Sequence, residues 1–427
     1  MALFLFLLVT FSLACGGIPT ATAPSCAVLI GPLALLLIFA LLARAAALTM
    51  HQRVRAGLAL PTAIDLLARQ LDALRWFGLA VSLICLIPLG LAAAAQTWPV
   101  VSSSMCLQAI FLLTPALLTI AISLAAEQRF DSLTGRTPPG KSSWGPRRLV
   151  RALFRFAGWL VAPILVMLGI ADVIIRIGSS VDLAWVGIPA IGVAMVAVLV
   201  TLPLLVPWLA KRVWKTEPLE DPQHRWLIDL TRRVGGAGLE VRRWDTGMRD
   251  TNAAVIGIFP HARSLLLTDR LLRDSSADQL YLIALHELAH LRRGHLWLRM
   301  LAVTPAWLLA AAWLHFVDGG SASFLTAHVL AILATLATLR IVAHATEYDA
   351  DRVACDLAAR LASAHPVARA TAAGWGAANE QVERFCATLR QADGSDEASS
   401  KRISWLHPSV DARCRALRAW VTTLGER

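Results

Sequence analysis

The sequence predicts a mainly α, polytopic helical membrane protein that carries one small α+β domain with a short antiparallel sheet. Three observations predict it. The chain of 427 residues is 57% hydrophobic and only 16% charged, whereas soluble domains are nearer 25% charged. Apolar stretches long enough to cross a bilayer recur through residues 1–210 and again after residue 299. The polar remainder mixes strand-like alternation with helical spacing and contains HELAHLRRGH at 286–295, three histidines and a glutamate within ten residues.

A spanning helix needs roughly 20 mostly apolar residues. Residues 26–49, 76–96, 104–126, 153–177 and 183–209 meet that condition, and 2–18 is a shorter sixth stretch. The expected organisation is therefore a membrane region of five or six spans over 1–210 and the first part of a polar domain over 211–298. A transmembrane or membrane-dipping hairpin (299–317 and 322–344) follows, and the second part of the domain covers 345–427.

The net charge of +11 invites a nucleic-acid reading, but no nucleic-acid-binding motif supports it. The basic residues lie between spans instead: Arg53, Arg55, Arg69 and Arg75; then Arg129, Arg136, Lys141, Arg147, Arg148 and Arg151; then Lys211, Arg212 and Lys215. Alternate connections carry none. Basic loops stay inside, so the polar domain is expected to face the cytoplasm, and the Arg- and Ala-rich composition suggests a bacterial inner membrane. Asp172 and Arg176, one turn apart near a span end, read as a snorkelling pair. The seven cysteines are scattered without a CxxC pair, which excludes a disulfide framework or a Cys-ligated zinc site.

Within the polar domain, 221–235 has the helical spacing Trp226, Leu227, Leu230, Val234 and ends at a Gly pair. Residues 239–244 alternate as a strand, and 253–258 and 263–268 read as two strands joined by a Pro-containing turn. The helix that follows has Ser276 as N-cap, Gln279 completing a capping box and Gly294 near its end. Another helix is expected from about 345 to 363, and the polar stretch 391–402 is expected to be flexible.

His286 and His290 are four apart, so on a helix both imidazoles leave one face and can share a tetrahedral zinc ion. Glu287 points about 100° aside and can take a proton from a metal-activated water without occupying a ligand position. The apolar run LYLIAL ahead of the motif encloses it. Burying two imidazoles and a carboxylate without partners costs several kcal/mol, a problem that a cation removes. His295 is five residues beyond His290, about 140° around a continuing helix, and reads as an interfacial or loop residue. The third ligand must then come from a distant residue. Glu347 and Asp351, again i and i+4, fit: Glu347 as ligand, and Asp351 as acceptor for the free N–H of a ligating histidine. The alternative for this pair is a solvated acidic face, since Asp349 is also nearby, but pairing with HExxH at the same membrane surface favours the metal.

HExxH, a membrane hairpin and then ExxxD resembles the integral-membrane gluzincins, the HtpX-like heat-shock proteases and the CAAX prenyl proteases of the Ste type. TNAAVIG (251–257) is similar to that family's Asn-Ala edge strand, and HPSVDARCRAL (407–417) to its C-terminal His-Pro segment. The resemblance covers about 240–427 specifically. It implies a zincin-like domain holding one zinc ion on His286, His290 and Glu347, with Glu287 as catalytic base and Asp351 behind the ligands. Asn252 and Ala253 are implied to bind the substrate backbone, and His407 or Arg413 to bind substrate or stabilise the oxyanion. The implied activity is hydrolysis of peptide bonds in membrane-associated proteins at the cytoplasmic face, with membrane-protein quality control as one use. The departures are a longer N-terminal membrane region and His344 where an arginine is common. Two rivals are a sensor-transducer peptidase that cleaves a regulator and a non-catalytic zinc-binding scaffold. An intact Glu287 argues against the scaffold.

Overall fold

The computed structural model describes residues 2–17, 26–135, 146–180, 207–235 except 209 and 213, 238–246, 251–302 except 258, 260 and 261, then 304, 308–309, 321–361, 378–393 and 405–425. The chain divides into two compact units, Met1–Leu202 with Asp318–His328, and Pro203–Val317 with Val329–Arg427.

The first unit is helical over its described residues: α1 (Ala2–Ala14), α2 (Ile30–Arg55), α3 (Leu60–Leu86), α4 (Leu91–Thr97), α5 (Met105–Leu133), α6 (Pro146–Leu153) and α7 (Trp159–Ser180). Among the described residues of the chain, four helices are long and apolar enough to cross a membrane: Ile30–Arg55, Met105–Leu133, Leu160–Ile177 and Val329–Leu361. The stretch predicted as a span over 76–96 is instead the second half of α3 followed by α4. The two helices lie 49° apart and make a fifth span if counted as one. Pro88 and Gly90 cause the break. Gly90 adopts φ +80°, and a Cβ there would meet Val28 Cγ2 at 2.9 Å. α1 is 13 residues long, short of a full span. The spans expected at 183–209 and 299–317 lie largely outside the described residues.

Asp172 does more than snorkel. It accepts hydrogen bonds from Ser104 Oγ (2.5 Å) and from the Met105 and Cys106 N–H groups (2.8 and 2.9 Å), capping the start of α5 from a neighbouring helix. Those N–H groups have no partner within their own helix, and a carboxylate there also favours the positive helix end.

The second unit holds a four-stranded sheet, β1 (Thr216–Pro218), β2 (Glu240–Trp244), β3 (Ala253–Ile256) and β4 (Ser264–Thr268), in the order β1-β2-β4-β3. The sheet is mixed, not purely antiparallel. β1 pairs antiparallel with β2 and β3 with β4, but β2 and β4 run parallel. The reason lies in β4, SLLLT, every residue of which is buried. So apolar a run takes the centre of the sheet, which leaves the half-buried β3 at the edge. The unit's helices are α8 (Arg225–Gly235), α9 (Asp269–Asp274), α10 (Ala277–Arg292), α11 (His295–Leu301), α12 (Ser321–Leu361, from Val329 onward in this unit), α13 (Ala378–Asp393) and α14 (Val410–Gly425). α12 is continuous over 41 residues, so the stretch predicted as a span over 322–344 runs without a break into the helix predicted from 345. Leu227, Leu265, Leu285, Leu288, Ala354, Phe385 and Leu417 come from sheet and helices alike to form one buried core.

Candidate metal centre

α10 starts at the Ser276 capping box, and its apolar face (Leu280, Tyr281, Ala284, Leu285, Leu288) packs into the core. That seating fixes the rotation of the helix. It brings His286, Glu287 and His290 to a cleft of about 420 Å³. Across the cleft, α12 presents Glu347, only 1% exposed.

The geometry suits a cation. His286 Nε2 and His290 Nε2 face one another at 3.2 Å. Glu347 Oε2 lies 3.5 Å from His286 Nε2, and Glu347 Oε1 lies 3.4 Å from His290 Nε2. Ligands held at about 2.0–2.1 Å in tetrahedral array around zinc stand about 3.3 Å apart. Glu347 Oε2 is also buried and accepts no hydrogen bond, although His407 Nδ1 stands 3.1 Å away. Two ring nitrogens and an unsatisfied carboxylate oxygen turned on one point are a donor set that a divalent cation completes.

Asp351 lies one turn along α12 and is fully buried. Its Oδ1 is 2.9 Å from His286 Nδ1, and Arg413 grips it with two bonds, Nε to Oδ2 at 2.8 Å and NH2 to Oδ1 at 2.5 Å. The pair orients His286 so that its Nδ1–H points at the carboxylate and its Nε2 at the cleft. Arg413 is itself buried, with NH1 3.6 Å from Glu347 Oε2. Its guanidinium fork is thus turned towards Asp351 rather than free for a substrate. His407 is half exposed at the cleft rim.

Glu287 accepts a hydrogen bond from the Val255 N–H of β3 at 3.2 Å. Asn252 and Ala253 line the same cleft. The Asn252 backbone is tied to Thr268 in both directions, its N–H to Thr268 Oγ1 at 3.0 Å and its carbonyl to the Thr268 N–H at 3.1 Å. Because backbone groups two residues apart on a strand face the same side, the N–H and carbonyl of Ala253 face outward as those of Val255 do.

Burial disfavours a charged ring at His286, but the carboxylates of Asp351 and Glu347 beside its two nitrogens outweigh it and hold the pKa up at about 9. At His290 burial prevails and the pKa falls to about 4. Burial also pushes the Glu287 carboxyl up, with neighbouring His286 opposing the shift. A carboxyl so raised is the better base near neutral pH.

Three groups at this centre were not expected. His295 is buried, not interfacial, and its Nδ1 lies 2.9 Å from His290 Nδ1. Asp349 joins the centre through its Oδ2, 3.0 Å from His295 Nε2. Arg299, one turn beyond His295 on α11, donates to Glu347 Oε1 at 2.8 Å and to Thr346 Oγ1. Gly294 makes this possible. With φ +67° it ends α10 and starts α11 on a new axis, which returns His295 and Arg299 to the site.

Residues 232–421 match the model of peptidase family M48. A protease HtpX homolog of Leptothrix cholodnii is 27% identical over 216 residues, 46% of this chain and 72% of that protein. The crystal structure of S. mikatae Ste24p is similar at TM-score 0.41 and 15% identity, over 93% of this chain and 100% of that one. Over residues 232–421, under half of its length, the chain is thus similar to the peptidases of family M48.

Proposed function

We propose that this chain, whose residues 232–421 match the model of peptidase family M48, is a membrane-embedded zinc endopeptidase acting on membrane-associated proteins at the cytoplasmic face of a bacterial inner membrane. The observation that carries the reading is the convergence of His286, His290 and Glu347, whose ligand atoms lie within 4.8 Å of one another, beside Glu287. In this reading those three residues hold one zinc ion per chain, which when bound polarises the scissile carbonyl and acidifies water.

The chain's own residues do the rest. A substrate segment lies along the open edge of β3 as an added strand, held by the outward N–H and carbonyl of Ala253 next to Asn252. Glu287 takes a proton from the attacking water and passes it to the leaving amine. The Val255 N–H keeps the Glu287 carboxylate aimed between strand and ligands. Asp351, gripped by Arg413, fixes His286 in the tautomer that offers Nε2 to the ion. His407, at the rim, is the side chain best placed to meet charge developing on the substrate oxygen. The basic inter-span connections support the cytoplasmic orientation, and quality control of membrane proteins is the use we assign.

The test is Glu287→Gln in the detergent-solubilised full chain. Zinc content stays at one per chain and cleavage of a casein or membrane-protein substrate is lost. Full activity in that variant overturns the reading. The same variant, crosslinked in membranes, traps substrates for identification.

A further inference from the structure

We propose that His295 is a positioning residue for the metal: it accepts the Nδ1 proton of His290 and is itself oriented by Asp349. The inference rests on the reading of His290 as a ligand and extends it to residues that the reading does not use.

The argument is one of hydrogen counting. His290 Nδ1 and His295 Nδ1 are 2.9 Å apart, and only one hydrogen fits between them. A His290 that offers Nε2 to a cation carries its hydrogen on Nδ1, so His295 Nδ1 must accept. The neutral His295 ring then carries its hydrogen on Nε2, which points at Asp349 Oδ2, 3.0 Å away. Asp349 can only accept, and Arg293 holds it there, Nε to Oδ2 at 2.8 Å and NH2 to Oδ1 at 3.3 Å. Ligation by His290 therefore leaves one tautomer assignment for the chain from ligand to carboxylate, with every donor and acceptor used.

The arrangement parallels the one behind His286, where the ring meets the Arg413-anchored Asp351 directly. An extra imidazole is needed at His290 for a geometric reason. Asp349 is two residues from both Glu347 and Asp351 on α12, about 200° around the helix from each, and so leaves the face that meets the ligands. His295 spans the gap, and at 5% exposure it is shielded from water that would otherwise compete for both bonds. Each ligating imidazole thus ends on a carboxylate held by an arginine, an environment that raises ligand basicity and locks ring orientation.

The experiment measures zinc affinity by chelator competition in the detergent-solubilised full chain, together with the visible spectrum of the cobalt-substituted protein. His295→Leu removes the acceptor, and affinity should fall on the order of 10–100-fold with an altered cobalt spectrum. His295→Gln offers an amide oxygen to His290 and an amide N–H to Asp349 in the same order, and should stay within about threefold of the parent. Asp349→Asn should weaken binding by less than His295→Leu but measurably. A His295→Leu protein with parental affinity and spectrum overturns the proposal, and so does a Gln variant as weak as the Leu variant. Should the Leu variant fail to fold, the partly exposed Asp349→Asn decides, and parental affinity there overturns it. A parent chain that binds no zinc defeats the ligand reading itself, a different result from any of these.

Discussion

Replacing Arg413 with Met is the most exacting test of how the centre is built. Arg413 is 8% exposed, and its two bonds to Asp351 are 2.8 and 2.5 Å long. Met matches the aliphatic stem but leaves Asp351, 0% exposed, with His286 Nδ1 alone. Removing one partner of a buried ion pair costs about 3–5 kcal/mol, because the remaining charge stays desolvated. For a unit of about 200 residues, 1 kcal/mol moves the melting temperature by roughly 2–4 °C. The expected drop is therefore about 6–20 °C. It should be read by intrinsic tryptophan fluorescence on the chelator-treated full chain, so that stability is measured apart from ligand binding. Arg413→Lys keeps the charge but not the planar fork and should fall between Met and the parent. A Met variant that melts within about 2 °C of the parent, or a Lys variant below Met, would refute the claim that Arg413 neutralises Asp351.

Other outcomes follow from the same geometry. Zinc affinity should rise with pH. His286 is held protonated up to about 9, and an incoming ion must displace that proton, so affinity should climb by up to about tenfold per pH unit from 7 towards 9 and then level off. Titration at pH 6.5, 7.5 and 8.5 checks this, and a flat profile contradicts it. In the chelator-treated protein, Glu287→Gln should be more stable than the parent at pH 8. The folded-state pKa of Glu287 is raised, so its contribution is present below the unfolded value and is lost as pH rises through the folded one. The gap between the two melting temperatures should therefore widen with pH over that window. Ala253→Pro removes an outward N–H at a sheet edge that tolerates proline. It should lower kcat/KM about tenfold, mainly through KM, without changing zinc content.

Much of this centre could be read from spacing because its parts obey one period. His286 and His290 are one turn apart on α10, Glu347 and Asp351 one turn apart on α12, and an unbroken helix turns such intervals into a shared face. The same rule misled at His295. Continuing the 3.6 period past Gly294 sends that residue to the far side of α10, whereas the left-handed glycine starts a new helix and brings it back. Arg299 was hidden for the same reason. The β3–β4 hairpin was legible from its turn signal, whereas the place of Ala253 at a sheet edge came only from the resemblance of TNAAVIG to a family strand. The parallel pairing of β2 with β4 was not, because strand partners distant in sequence leave no local pattern. α13 was missed although Val382, Phe385, Cys386 and Leu389 carry helical spacing, and its Phe385 ring lies 6.4 Å from that of His286. At α12 the change from apolar to polar composition suggested a boundary between span and domain where the backbone has none, since composition reports the surroundings of a helix rather than its ends.

X-ray absorption at the zinc edge of the purified full chain tests the central claim most directly. The expected result is one zinc per chain with two imidazoles and one carboxylate at about 2.0–2.1 Å, with the carboxylate lost in Glu347→Ala. A chain without zinc, a sulfur ligand, or an unchanged edge in Glu347→Ala would contradict it.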